Sequence, residues 1–237
     1  MNAEHTFIGW RFGLWWVLLT VVGWTIGFPL GFVLVAVAGW IIGVPEGSDS
    51  ILLKLGLDNA ALFICIVAVV GLMQWLALRR VVRRAGFWVP ASIIGFTVSS
   101  SIHAVVCYVW GYPDNLDHFP GTLVWAMAFV VGGTLAGVLQ QRILRRQVCH
   151  SAWWVPASAV GWGLSIIGLK IGFGIGLDKI LSTMPRAPRL LMAFVALMVP
   201  LGLASVLLGI VTGGALIWLL RQPMPAEELE NANHTKF

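Results

Sequence analysis

Apolar residues in this chain gather into six long runs separated by short polar or basic segments. A helix needs about 20 predominantly apolar residues to cross the hydrocarbon core of a bilayer. The runs cover about Leu14–Ile42, Ala60–Leu78, Trp88–Trp110, Thr122–Ile143, Trp154–Leu177 and Leu191–Leu220. Pro29 and Pro200 fall inside the first and last runs, where they predict bends. Asp58-Asn59 offer N-caps for the second span, and Pro120-Gly121 precede the fourth. The pattern predicts an all-α integral membrane protein with six transmembrane helices. They form a single domain over residues 1–237, with a short polar tail at 222–237.

The polar segments alternate in character. Arg79, Arg80, Arg83 and Arg84 follow the second span, and Arg142, Arg145 and Arg146 follow the fourth. With Arg11, Arg221 and Lys236 that makes ten Lys/Arg on the side of the termini. Five (Lys54, Lys170, Lys179, Arg186 and Arg189) fall on the other side. Positive charge stays cytoplasmic, so both termini are expected in the cytoplasm. Glu46, Asp49, Asp58, Asp114, Asp117 and Asp178 belong to the opposite loops. The N-terminus lacks a basic n-region, and the apolar run after Arg11 is too long for a signal-peptide core. The first span is therefore expected to be retained, although Ala36-Val37-Ala38 mimics a cleavage site.

The chain also repeats itself. Residues 71–96 align without gaps with residues 137–162, an offset of 66, and 12 of the 26 positions are identical. The matches include Gly71/Gly137, Gln74/Gln140, Arg79-Arg80/Arg145-Arg146, Trp88/Trp154, Pro90/Pro156, Ser92/Ser158 and Gly95/Gly161. Apolar composition alone would not place Gln, Arg-Arg, Trp and Pro in one register. A degraded third copy is split across the chain. Trp16 through Trp24 echo the start of the odd spans, and Gly213 through Arg221 echo the end of the even ones, without the glutamine and the second arginine. The unit is a helical hairpin, repeated over about 14–78, 88–143 and 154–220.

The repeated residues have structural roles of their own. Trp88 and Trp154 are expected at the membrane boundary as anchors, with the pairs Arg79/Arg80 and Arg145/Arg146 held among the headgroups. Pro90 and Pro156 fall in a first helical turn, where a missing N–H costs nothing. Gly95 and Gly161 allow close helix contact.

Composition sharpens this picture. Hydrophobic residues make up 59% of the 237 and charged residues 11%, against roughly 25% charged in soluble domains. The mean hydropathy of +0.89 agrees, and such a surface needs lipid as solvent. The net charge of +5 raises the question of nucleic acid, but the arginines flank apolar spans and read as a topology signal. The three cysteines, Cys65, Cys107 and Cys149, lack metal-ligand spacing and read as small apolar fillers.

Candidate chemistry is sparse. Gln74 and Gln140 are repeated polar groups inside the even spans. They could line a central pathway or bind a headgroup; the plainer role is a hydrogen bond across a helix interface. His103 is the one histidine inside a span and a weak candidate for cofactor ligation or proton relay. Its repeat partner is Leu169, which argues against a bis-histidine haem. Lys170 reads as a snorkelling side chain. Asp114, Asp117 and His118 could gather around a divalent cation, although short acidic loops are common. Cys149-His150 shows no sign of nucleophile activation. The sequon Asn233-His234-Thr235 lies in the tail, where glycosylation is not expected. No nucleotide loop, metalloprotease motif or paired intramembrane carboxylates occur. No metal site is expected, and no cofactor is required.

The pattern Gly-x-x-Gln-Trp-Leu-x-Leu-Arg-Arg, followed by Trp-Val-x-Ala-Ser and Gly-Trp, resembles a group of multi-pass membrane proteins from cyanobacteria and Chloroflexi-type bacteria. The resemblance covers about residues 67–165 and the divergent third copy. It implies a bacterial cytoplasmic membrane and carries no activity or catalytic residue with it. The expected function is that of a non-enzymatic subunit or scaffold of a membrane complex. Its partners would be the lipid bilayer and other membrane subunits or a second copy, with no nucleic acid. The alternative is a small-solute or lipid transporter or channel, with Gln74, Gln140 and His103 lining a pathway between the hairpins.

Overall fold

In a computed structural model of the chain, residues 9–42, 48–110, 119–183 and 189–222 are described, with side chains over 9–41, 60–106, 109, 123–174 and 196–222. Six α-helices make up the described chain: α1 (Trp10–Ile42), α2 (Ser48–Leu78), α3 (Trp88–Trp110), α4 (Phe119–Leu144), α5 (Trp154–Thr183) and α6 (Arg189–Leu220). All six are long and apolar enough to cross a membrane, and no β-strand element occurs among the described residues. The apolar helices call for a lipid environment.

Several bounds differ from the sequence expectation. α2 begins at Ser48 rather than near Ala60, so Asp58-Asn59 lie within the helix and do not cap it. The stretch before them contains no proline and spaces its leucines compatibly with a helix. α4 begins at Phe119, which makes Pro120 a first-turn proline. α5 runs past Leu177 to Thr183. α1 and α6 are continuous through Pro29 and Pro200.

The starts of α3 and α5 are built alike. Each is preceded by a single 3₁₀ turn, Ala85–Phe87 and Ser151–Trp153. Before each turn stands a residue in the left-handed region, Arg84 at φ 60° and His150 at φ 57°. Non-glycine residues rarely adopt that conformation, and here it helps turn the chain back within a short connection.

Each helix packs on the next in sequence, and α6 packs on α1, so the six close into a ring. The interior is layered. At the end carrying the arginine loops, Phe12, Trp16, Leu78, Val82, Trp88, Leu144, Val148, Trp154, Leu216 and Leu219 form one apolar cluster. A larger cluster, including Trp24, Ile66, Val70, Phe96, Trp125, Phe129, Trp162 and Leu208, fills the middle and far part. Between them lies a belt of buried polar side chains: Thr20, Gln74, Ser92, Gln140, Ser158 and Thr212.

Candidate functional site

The belt is assembled from helix positions facing the ring's interior, and its hydrogen bonds cross the seams between helices. The Trp88 indole N–H of α3 donates to Gln74 Oε1 of α2 at 3.1 Å. The Trp154 N–H of α5 donates to Gln140 Oε1 of α4 at 2.9 Å. Gln140 Nε2 donates in turn to Ser92 Oγ at 2.9 Å, and the Ser92 hydroxyl donates to the Trp88 carbonyl at 3.0 Å. One connected chain thus joins α5, α4, α3 and α2. At the seam that closes the ring, the Trp16 N–H of α1 donates to Thr212 Oγ1 of α6 at 2.9 Å. The Thr212 hydroxyl donates to the Leu208 carbonyl at 2.6 Å. In an apolar surround such groups must find partners, because no water is available to replace them.

The three donor indoles meet. Ring centroids of Trp16 and Trp88 are 6.1 Å apart, those of Trp16 and Trp154 6.4 Å, and those of Trp88 and Trp154 5.1 Å. The edge-to-face geometry of the first two pairs suits aromatic quadrupoles. Trp88 and Trp154, expected as boundary anchors, are therefore turned inward, with 0% and 2% of their surface exposed. Their predecessors, Phe87 at 65% and Trp153 at 61%, are among the exposed aromatic residues at that end. One residue step turns the direction by about 100° on a helix, which separates an outward ring from an inward one. Arg79, Arg80, Arg145 and Arg146 are exposed at the same end of the ring. The Arg79 guanidinium lies 5.8 Å from the Trp75 ring centre.

His103 stands apart from the belt, toward the far end. It is buried with its ring centroid 4.3 Å from that of Trp125. Together with Phe63, Phe96, Ser99 and Phe129 these residues line a small recess with about 10 Å³ of room, enough for no more than a single water. The Ser99 hydroxyl is turned back onto the Ala128 carbonyl. The Trp125 indole N–H is buried without a hydrogen-bond partner, as is that of Trp24. An orphaned buried donor costs about 1–3 kcal/mol. The structure does not bring Gln74 or Gln140 to this recess.

Of the other sequence candidates, Lys170 is exposed near the far end of its span, and the Cys65 and Cys149 side chains are half-buried. Asp114, Asp117, His118 and the sequon at 233–235 lie outside the described residues, as does the Cys107 side chain. Among the described residues no three His, Cys, Asp or Glu side chains come together. Two functional-looking features were not anticipated. One is the Trp16–Thr212 bond, which could have been found by reading Gly209-x-x-Thr212 against Gly71-x-x-Gln74. The other is Gln147, whose Oε1 accepts from the Arg83 N–H at 2.8 Å while its Nε2 donates to the Arg83 carbonyl at 3.1 Å. Gln147 has no repeat partner, since Val81 stands 66 residues earlier.

Compared with family models, curated proteins and solved structures, the chain matches none.

Proposed function

We propose that this chain is a non-enzymatic subunit or scaffold of a membrane complex. The observation that carries this reading is the use of the buried polar belt. Gln74, Gln140 and Thr212 each accept an indole N–H across a helix seam, and the three indoles fill the space between the odd helices. Groups that a transporter would present to cargo are here engaged in holding helices together. The aromatic layer closes the route along the ring's interior at the arginine end. This weighs against the alternative of a pathway between the hairpins for a small solute or lipid.

We infer further that the six helices are three copies of one hairpin around an axis along the membrane normal. Glycine contacts support this. Gly23 meets Val70, Gly95 meets Ala136 and Gly161 meets Leu208 within the three hairpins. Gly71 meets Val89, Gly137 meets Val155 and Gly209 meets Val17 between them. In this register Thr212 occupies the place of Gln74 and Gln140, one helical turn earlier than the echo at Gly213–Arg221. The arginine end is taken as the cytoplasmic face of a bacterial membrane, from its charge.

Purification at native expression level in a mild detergent, followed by native mass spectrometry, tests the subunit reading. Co-migration with other membrane chains, or a defined homo-oligomer, is the expected result. Recovery only as a free monomer, with cross-linking in intact membranes equally empty, would overturn it.

A further inference from the structure

The connections at the arginine end are tied together more firmly than their length requires. The Gln147 side chain holds both backbone polar groups of Arg83 and also donates to the Ile143 carbonyl at 3.3 Å. The connection after α2 is thereby bound to the connection after α4. The latter is bound in turn to the end of α6, through the Cys149 N–H donating to the Gln222 carbonyl at 3.1 Å. The left-handed residues Arg84 and His150 and the two 3₁₀ turns complete short, shaped connections.

Mounted on them are Arg79, Arg80, Arg83, Arg84, Arg145 and Arg146, all exposed. Every cation of these two connections is an arginine, and no carboxylate occurs between residues 79 and 153 except at Asp114 and Asp117 in the opposite connection. Beside the guanidinium groups, Phe87 and Trp153 present apolar rings on the outside.

A topology signal requires only positive charge near the span ends. It requires neither arginine over lysine nor a connection fixed by a side-chain clamp. The arginine fork fits a phosphate through two parallel hydrogen bonds, where lysine acts as a point charge. A ring at the boundary suits the glycerol and upper acyl region next to such a phosphate. We propose that the clamped arginine connections form a binding site for the phosphodiester headgroup of an anionic phospholipid. Gln147 acts as a positioning residue, setting Arg83 and Arg84 against Arg145 and Arg146. The site is independent of whether the ring serves as scaffold or transporter.

The test is lipid retention by the full chain in nanodiscs of mixed phosphatidylglycerol and phosphatidylcholine, read by native mass spectrometry after release into detergent. Wild type should keep phosphatidylglycerol in preference to phosphatidylcholine by at least tenfold. Gln147→Ala leaves the charge unchanged, as does the pair Arg83→Lys with Arg84→Lys. Each should lower that preference several-fold while the thermal melt stays that of a folded protein. If Gln147→Ala unfolds, the lysine pair decides alone. Retention equal to wild type in the lysine pair, or in a folded Gln147→Ala, would reduce the feature to bulk electrostatics and overturn the proposal. Displacement of the lipid by inorganic phosphate at low millimolar concentration would also overturn it, as a site for free anion.

Discussion

Gln140 and Trp154 stand 14 residues apart, on successive helices, joined by a 2.9 Å hydrogen bond that is buried in the ring. Gln74 and Trp88 repeat the relationship with the same separation at 3.1 Å. The two glutamines are not equivalent in load, because Gln140 also donates to Ser92. Gln140→Leu leaves the Trp154 N–H orphaned and removes the Ser92 contact, so it should destabilise by about 2–3 kcal/mol. Gln74→Leu orphans the Trp88 N–H and should cost about 1–2 kcal/mol. Reversible unfolding in bicelles checks the order. Equal effects, or a larger one at Gln74, would contradict the connected chain from α5 to α2.

The Trp16–Thr212 bond closes the ring between the first and last helices. A double-mutant cycle with Trp16→Phe and Thr212→Val isolates it. Interhelical hydrogen bonds in membranes couple by about 0.6 kcal/mol on average, with a maximum near 1.7. A coupling in that range, with the double variant less destabilised than the sum of the singles, is the expected outcome. Thr212 also bonds its own helix at Leu208, which places the expectation in the lower half of the range.

Close approach of helices can be tested at one glycine. A side-chain methyl on Gly95 would stand 2.8 Å from Ala136 Cα and 2.9 Å from its Cβ. Backbone cannot retreat as a flexible side chain can, so α3 and α4 would have to separate. Gly95→Ala should cost about 1–3 kcal/mol. Gly214→Ala is the matched control, since nothing lies within 4 Å of the new methyl. It should be neutral or stabilising by up to about 1 kcal/mol, through helix propensity. Both are read from melting in the same detergent.

The spans were legible because lipid imposes one pattern on every helix that crosses it, and α3 begins and ends where its apolar run does. Ser48 as the start of α2 was less legible, because the residues before Ala60 are helical without being continuously apolar. The polar belt was half legible. Gln74 and Gln140 stood out by repetition, but nothing in a string of residues shows that Trp88 turns inward while Phe87 turns outward. That distinction depends on the 3₁₀ turn and the residue at positive φ before it. Thr212 drew no notice because the echo at Gly213–Arg221 aligns Leu216, four residues further along the same helix face, with Gln74 and Gln140. Gln147 carried no signal, since its partner is a backbone group from a distant connection.

The orphaned Trp125 indole leads to a smaller expected effect than those of the belt. Trp125 is buried beside His103, and its N–H has no partner. Trp125→Phe removes that donor along with part of the ring. The lost ring area disfavours the variant, while the relieved desolvation of about 1–3 kcal/mol favours it. The two effects should nearly cancel, leaving Trp125→Phe within about 1 kcal/mol of wild type. Trp88→Phe makes the same cut in a tryptophan whose N–H is engaged. It strands Gln74 Oε1 and loosens the contact with Trp154, so it should cost about 2 kcal/mol more than Trp125→Phe. Paired melts of the two variants decide the matter. A Trp125→Phe as damaging as Trp88→Phe would mean that the Trp125 N–H is satisfied in the membrane by a group from lipid or a partner. The His103 recess would then become the place to look for what the ring holds.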